Sequence, residues 1–402
     1  MLGVLTGKFP TAWGRLIGSS RRKRLDLQVQ SHHRTSPHPR MISSWRSSDP
    51  KYAKRSLFIC SRKTTHTHTH THKDLGSIPI GAHISLSIII IIIITMSSSF
   101  TSSSTPILVL GGTGTVGSRI ASQLSSQGFT PLVASRNNNN TDKKITLPSD
   151  HVHVQFDWDD PSTWSNPFSS SSYPPPKSIY LVAPPHLDGD KPMIEFIDFA
   201  RSDHDARRFV LQSASSIESG GPVMGKVHAY LRELGQRGEV DWAVLRPTWF
   251  QQNFGEQQNH TKSIKEESKI YSATSDGKIP WVSADDIAAV AVRALTSEDA
   301  PNTEYLVLGP ELLSYKDIAA ILSEVLGRKI VHVDMSATEL QKRHREFGMP
   351  EEYARMMSAM DTSIKFGAEN RTNDVIFSVT GVAPRKFSEY ALSVKDDVWV
   401  GV

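Results

Sequence analysis

Cysteine is nearly missing from this 402-residue chain, whose one example is Cys60. A body read from Met96 onward therefore has no thiol, which excludes structural disulfides, thiolate-bound metals and a nucleophilic cysteine. Long apolar runs are also missing. The seven isoleucines from Ile88 to Ile94, even extended back to Ile84, fall short of the roughly 20 apolar residues that a membrane-crossing helix needs. No membrane association is expected, and the location is read as cytoplasmic. The third shortage is of positive charge outside the N-terminal stretch. Residues 1–95 carry 15 Lys+Arg against 3 Asp+Glu, and the remainder 30 against 38, for net charges of +12 and −8. The overall +4 thus belongs to the leader. An acidic body argues against nucleic-acid binding, which needs a basic face to displace phosphate counterions.

Residues 1–100 are expected to be a disordered leader. Their Thr-His alternation (His66, His68, His70, His72) and isoleucine run resemble translated simple nucleotide repeats. Met96 is therefore read as the natural start and residues 1–95 as an over-extended gene model. The other reading is a transit peptide, since the first forty residues are rich in Arg and Ser and nearly free of acid.

What the body does contain is a glycine turn in a telling context. Ile107-Leu108-Val109-Leu110 leads into Gly111-Gly112-Thr113-Gly114-Thr115-Val116-Gly117, and Val116, Ile120 and Leu124 then recur at helical spacing up to Gly128. Strand, glycine turn and helix N-terminus together can hold a dinucleotide pyrophosphate on backbone N–H groups and the helix dipole. The spacing G-x-x-G-x-x-G points to extended or atypical short-chain reductases. Further apolar strands are predicted at 131–134, 151–156, 178–182, 208–212, 242–245 and 305–308, alternating with helical patterns. That alternation predicts an α/β fold with a doubly wound parallel sheet, Rossmann-like. Asn137 to Asn140 and the Ser- and Pro-rich stretch 169–176 read as surface loops.

Ser283 with Asp286, Ser314 with Asp317 and Ser336 with Glu339 have the spacing that caps a helix N-terminus, and Gly327, Gly348 and Gly367 supply stops. The C-terminal part is thus predicted to be mostly helical and to lie over the open end of the sheet. Residues 105–250 with 279–309 are expected to form the nucleotide-binding domain. Residues 251–278 with 310–402 are expected to form a smaller substrate-binding lobe. Met349, Met356, Met357 and Met360 could line a pocket, although such a stripe is more often core.

An acid at the end of the second strand would bind the ribose of NAD; Ser135-Arg136 stands there instead. Arg136 can pair with a 2′-phosphate through two parallel hydrogen bonds, which favours NADP(H). Asp157 either accepts from the adenine amine or caps its own turn. A carbonyl reductase needs a proton donor, usually a Tyr with a Lys four residues on. Here Lys226 and Tyr230 have that separation in the reverse order. Ser213 and His228 remain as candidate catalytic groups, each with an alternative as an ordinary strand-end hydroxyl or helix histidine. Pro247 is expected beside the nicotinamide, with Trp249, Phe250 and, more weakly, Tyr271 as walls of the substrate site.

The stretches 110–117, 220–225, 245–253, 269–287 and 326–332 make the chain resemble the NmrA-like atypical short-chain reductases, and within them the ergot-alkaloid clavine (festuclavine/agroclavine) dehydrogenases. The likeness runs from about residue 106 to about 387, with Lys226 standing where an amide residue is expected. The resemblance implies NADPH-dependent reduction of a cyclic iminium, a small cationic imine substrate. Hydride delivery to C=N⁺ yields a neutral amine without a proton donor, so the missing Tyr-Lys pair ceases to be a defect. Placement of the reacting carbons roughly 3–3.5 Å apart would then carry the reaction. The alternative from another class is a redox sensor of the NmrA type that binds NADP, does no chemistry and docks onto a protein partner.

Overall fold

Alternation along the strands sets the layers. In the computed structural model, which describes residues 105–136, 151–186 and 188–400, strand β1 (Ile107–Leu110) is wholly buried. It sends Ile107 and Val109 to one face of a sheet and Leu108 and Leu110 to the other. A strand buried on both faces has no polar side, which is why β1 reads as an unbroken apolar run. Around it lie β2 (Pro131–Ser135), β3 (Val152–Gln155), β4 (Ser178–Val182), β5 (Arg208–Gln212), β6 (Asp241–Pro247) and β9 (Thr303–Val307). The seven strands run parallel in the order β3-β2-β1-β4-β5-β6-β9. The order reverses between β1 and β4, and the carboxyl ends of the strands at such a switch point form the crevice where doubly wound folds bind ligands.

Two helical layers cover the sheet. On one side lie helix α1 (Gly117–Ser126) and, further along the chain, α4 (Ala284–Thr296), whose Ile287, Val290 and Ala291 meet Val109, Tyr180, Val210 and Leu245. On the other side are α2 (Asp190–His204) and α3 (Met224–Gln236), with Phe196, Val227, Leu231 and Leu234 on Leu108, Leu181, Phe209 and Val244. Burial of each such side chain is worth about 1.5–3 kcal/mol before conformational entropy is subtracted.

The helical C-terminal region comprises α5 (Tyr315–Leu326), α6 (Ala337–Glu346), α7 (Glu351–Lys365), α8 (Val375–Thr380) and α9 (Phe387–Lys395). Ser314 with Asp317 and Ser336 with Glu339 both form reciprocal capping boxes. The third predicted box differs. Ser283 accepts from the Asp285 N–H, while the Asp286 carboxylate accepts from the backbone N–H of Arg385 at 2.8 Å. Gly327, Gly348 and Gly367 all take positive φ after a helix. Two small ribbons were not visible in the sequence: β7 (Lys269–Ser272) pairs parallel with β11 (Val331–Asp334), and β8 (Lys278–Pro280) antiparallel with β10 (Leu312–Ser314). Strands of three and four residues are too short to display a period-2 pattern. A separate core gathers here around Phe254, Trp281, Tyr315, Phe387 and Trp399. Met357 is buried within it, and Met349, Met356 and Met360 are half-buried against it, so the methionine stripe is core.

The leader and the loop from Asn137 to Asn140 lie outside the described residues. No helix among the described residues is long and apolar enough to cross a membrane.

Candidate functional site

The glycine turn is built so that nothing but hydrogen fits. Gly111 has φ +63°, and a Cβ on Gly117 would stand 2.3 Å from the Gly111 carbonyl oxygen. A Cβ on Gly112 would meet Val133 at 2.7 Å. The Gly114 N–H donates to Gly111 O and the Gly112 N–H to Ala134 O, which fixes the turn between β1 and α1. Thr113 at its tip is exposed. Val116 precedes α1, and no side chain caps its N-terminus. A helix start free of a side-chain cap, reached by a turn with no Cβ in the way, fits a dinucleotide pyrophosphate. The Thr115 hydroxyl is used differently. It donates to Glu256, which also pairs with Arg119 at 3.2 Å; Arg119 in turn reaches Asp285 at 3.0 Å, and Arg385 reaches Asp285 at 3.1 Å. The turn is thereby tied to the short helical turn Asn253–Glu256 and to the segment before α9.

Arg136 follows β2 directly, exposed at the carboxyl edge two strands from β4. Asp157, after β3, uses its carboxylate locally, accepting from the Asp159 N–H at 3.1 Å, while its carbonyl accepts from the Trp164 indole. That is the turn-capping role offered as its second reading.

Ser213 lies just past β5. Its N–H donates to Leu245 O at 2.7 Å, but its hydroxyl is buried with no hydrogen-bond partner. His228 is a correction. Its ring packs over the sheet face against Trp242, near the start of β6, with Nδ1 4.0 Å from Glu304. Burial lowers its pKa. Lys226 and Tyr230 both turn toward α2: Lys226 pairs with Asp190 at 2.8 Å, and the Tyr230 hydroxyl donates to Asp198. Burial and that carboxylate push the Tyr230 phenol up to about 12.

Pro247 ends β6, and its carbonyl accepts from the Ser215 N–H at 2.8 Å. Trp249 and Phe250, adjacent in sequence, part company. Trp249 packs edge-on to Trp281 in the C-terminal core, with ring centroids 6.4 Å apart. Phe250 bridges Val282 and buries its ring with Ala284 and Ile287 beneath α4, which makes it core and not a substrate wall. Tyr271 is likewise corrected. Its hydroxyl donates to Glu267 and its ring carries the Arg343 guanidinium 3.8 Å from the centroid, so the side chain is engaged within the C-terminal region.

Glu369 went unnoticed in the sequence. It lies in the segment between α7 and α8, which crosses the ends of β5 and β6. Its two carboxylate oxygens accept from the Ser215 hydroxyl at 2.6 Å and the Thr248 hydroxyl at 3.1 Å. Partners 154 and 121 residues away leave no spacing signal. Arg246 and Arg371 both donate to Ser215 O, and Arg246 also pairs with Glu218 and with Glu304 at 2.8 Å. Val223, opening α3 nearby, has φ 47° and ψ −103°, a strained conformation for a β-branched residue.

A parallel sheet with a Cβ-free turn at its switch point and a capless helix N-terminus has the form of a dinucleotide-binding fold. Comparison with known proteins agrees. Residues 111–298 match the NAD(P)H-binding family model and residues 225–391 the NmrA-like family. The chain is 44% identical to festuclavine synthase II of Penicillium roqueforti, covering 73% of this chain and 99% of that protein. It is 42% identical to agroclavine dehydrogenase of Claviceps fusiformis, covering 73% and 98%. Triphenylmethane reductase of Citrobacter sp., solved with NADP(H), shares the fold with a TM-score of 0.58 at 20% identity, over 71% of this chain and 99% of that one. The chain belongs to the NmrA-like family of NAD(P)H-binding reductases, in the group that contains the festuclavine synthases and agroclavine dehydrogenases.

Proposed function

We propose that this enzyme reduces a cyclic iminium of the clavine type with NADPH. The reading rests on one observation: Lys226 and Tyr230, the nearest approach to a proton-donor pair, are both bound to carboxylates of α2. An acceptor that needs no proton suits such a site. NADPH held there would supply a hydride to the C=N⁺ carbon, whose π pair would pass to nitrogen to leave a neutral amine and NADP⁺. The chain's own residues bind and orient. The turn from Gly111 to Gly117 and the start of α1 hold the pyrophosphate, and Arg136 meets the 2′-phosphate. The buried Ser213 hydroxyl and the backbone at Pro247 stand at the ends of β5 and β6, where the reacting end of the cofactor would lie. Trp249 supplies an aromatic wall, and residues 251–278 with 310–402 act as the substrate lobe. The names of the relatives, festuclavine synthase and agroclavine dehydrogenase, support a clavine substrate, and a cytoplasmic location fits a reductase drawing on NADPH.

NADPH consumption with a panel of cyclic imines tests the reading. Turnover on at least one member is expected. Tight NADPH binding with no turnover on any of them would instead favour a non-catalytic sensor.

A further inference from the structure

Hydride transfer to an iminium removes the substrate's charge, so catalysis alone gives no reason to place a carboxylate near the acceptor. Yet Glu369, 3% exposed, is delivered to the ends of β5 and β6 by the segment that joins α7 to α8. It is held there from both sides, by Ser215 just past β5 and Thr248 just past β6. The same segment is fastened to β9 by Asn373, whose amide donates to Leu306 O at 2.8 Å. Around this point three carboxylates (Glu218, Glu304, Glu369) face two guanidiniums (Arg246, Arg371), all linked through Ser215 and Arg246. Of the three carboxylates only Glu369 is buried, and its oxygens are held by hydroxyls and not by a guanidinium. The buried, unpartnered Ser213 hydroxyl stands two residues from Ser215 and marks the same edge as a place where a ligand atom is wanted. A charge in a poorly hydrated site acts on a ligand far more strongly than one in water.

We infer that Glu369 is a specificity-determining residue that makes this site select a positively charged acceptor over a neutral one of the same shape. The inference rests on the assignment of the carboxyl edge near Ser213 and Thr248 as the acceptor site. Glu369 does not join the chemistry. Its charge raises the occupancy of a cation before hydride arrives, and that help vanishes as the cation is neutralised. It therefore lowers KM without raising kcat.

Binding separates this role from a merely structural one. The ligands are a cyclic quaternary ammonium and its neutral carbon isostere, titrated into the NADPH-loaded enzyme by tryptophan fluorescence. The wild type is expected to prefer the cation. Glu369→Gln, which keeps the shape and an acceptor oxygen, should weaken the cation by about tenfold and leave the isostere within about twofold. Glu369→Asp, which keeps the charge, should retain the preference. A wild type with no preference, a Gln variant that weakens both ligands alike, or an Asp variant that loses the preference would each overturn the inference. Should the Gln variant not fold, the wild-type preference and the Asp variant still decide. Failure of iminium turnover in the wild type with the cation preference intact would refute the proposed reaction and not the role of Glu369.

Discussion

At the scale of single residues, the proposed cofactor site is a matter of atoms that cannot be added. Gly117→Ala would place a methyl 2.3 Å from the Gly111 carbonyl oxygen, within backbone that cannot swing aside. It should cost about 1–3 kcal/mol in denaturant titration and abolish measurable NADPH binding; an alanine variant that binds NADPH normally would show that the turn is not the cradle. Arg136→Ala should weaken NADPH by about 10- to 100-fold, the worth of a charge-assisted pair, and NADH hardly at all. Equal losses would remove its assigned role. The placement of the turn, the helix after it and the end of the next strand was legible because local chain order determines it. His228, Phe250 and Tyr271 were misjudged because sequence places a residue on an element without saying which way it faces. Trp249 and Phe250 follow the same strand and point into different cores.

The elements carry charge in places where single residues gave no hint. Tyr230→Phe breaks the bond from α3 to Asp198 on α2. For a half-exposed pair this should cost about 1 kcal/mol of stability while kcat stays unchanged, and a large fall in kcat would restore Tyr230 as a proton donor. Within α7, Asp361 is buried beside β7 and accepts from the Ala273 N–H at 2.9 Å. Burial, with a contribution from Asp334, pushes it up to about 7. An unfolded aspartate titrates at about 3.9, so the folded chain holds a proton that the unfolded chain releases between these values, and stability falls as pH rises through that window. Asp361→Asn keeps the acceptor and cannot ionise. Its stability relative to wild type should therefore rise between pH 5 and pH 8, and a difference independent of pH would contradict the protonated state. Helix starts were well marked by Ser with an acid three residues on, yet Ser283 turned to Asp285 because Asp286 was claimed by Arg385. Such claims come from parts of the chain a hundred residues away, beyond any local pattern.

Over the whole molecule, sheet and helices follow from periodicity. The predicted strands at 178–182 and 208–212 coincide with β4 and β5, as the apolar run 107–110 does with β1, and the others shift by one or two residues at one or both ends. A long apolar strand buried on both faces leaves little freedom for misreading. The joining of the sheet to the C-terminal region was not legible. It depends on Glu256 against Thr115, Arg385 against Asp285, and Glu369 against Ser215 and Thr248, pairs that only the folded chain brings together. Those links make the proposed substrate side a product of the whole fold, with one task, to set a charged C=N⁺ carbon against a hydride. Turnover of a cyclic iminium with NADPH deuterated at the transferring carbon measures this directly. Deuterium on the former iminium carbon, a primary isotope effect on the reduction and no solvent isotope effect in D₂O are the expected results. A product without the label, or a rate limited by a solvent-derived proton, would contradict the account.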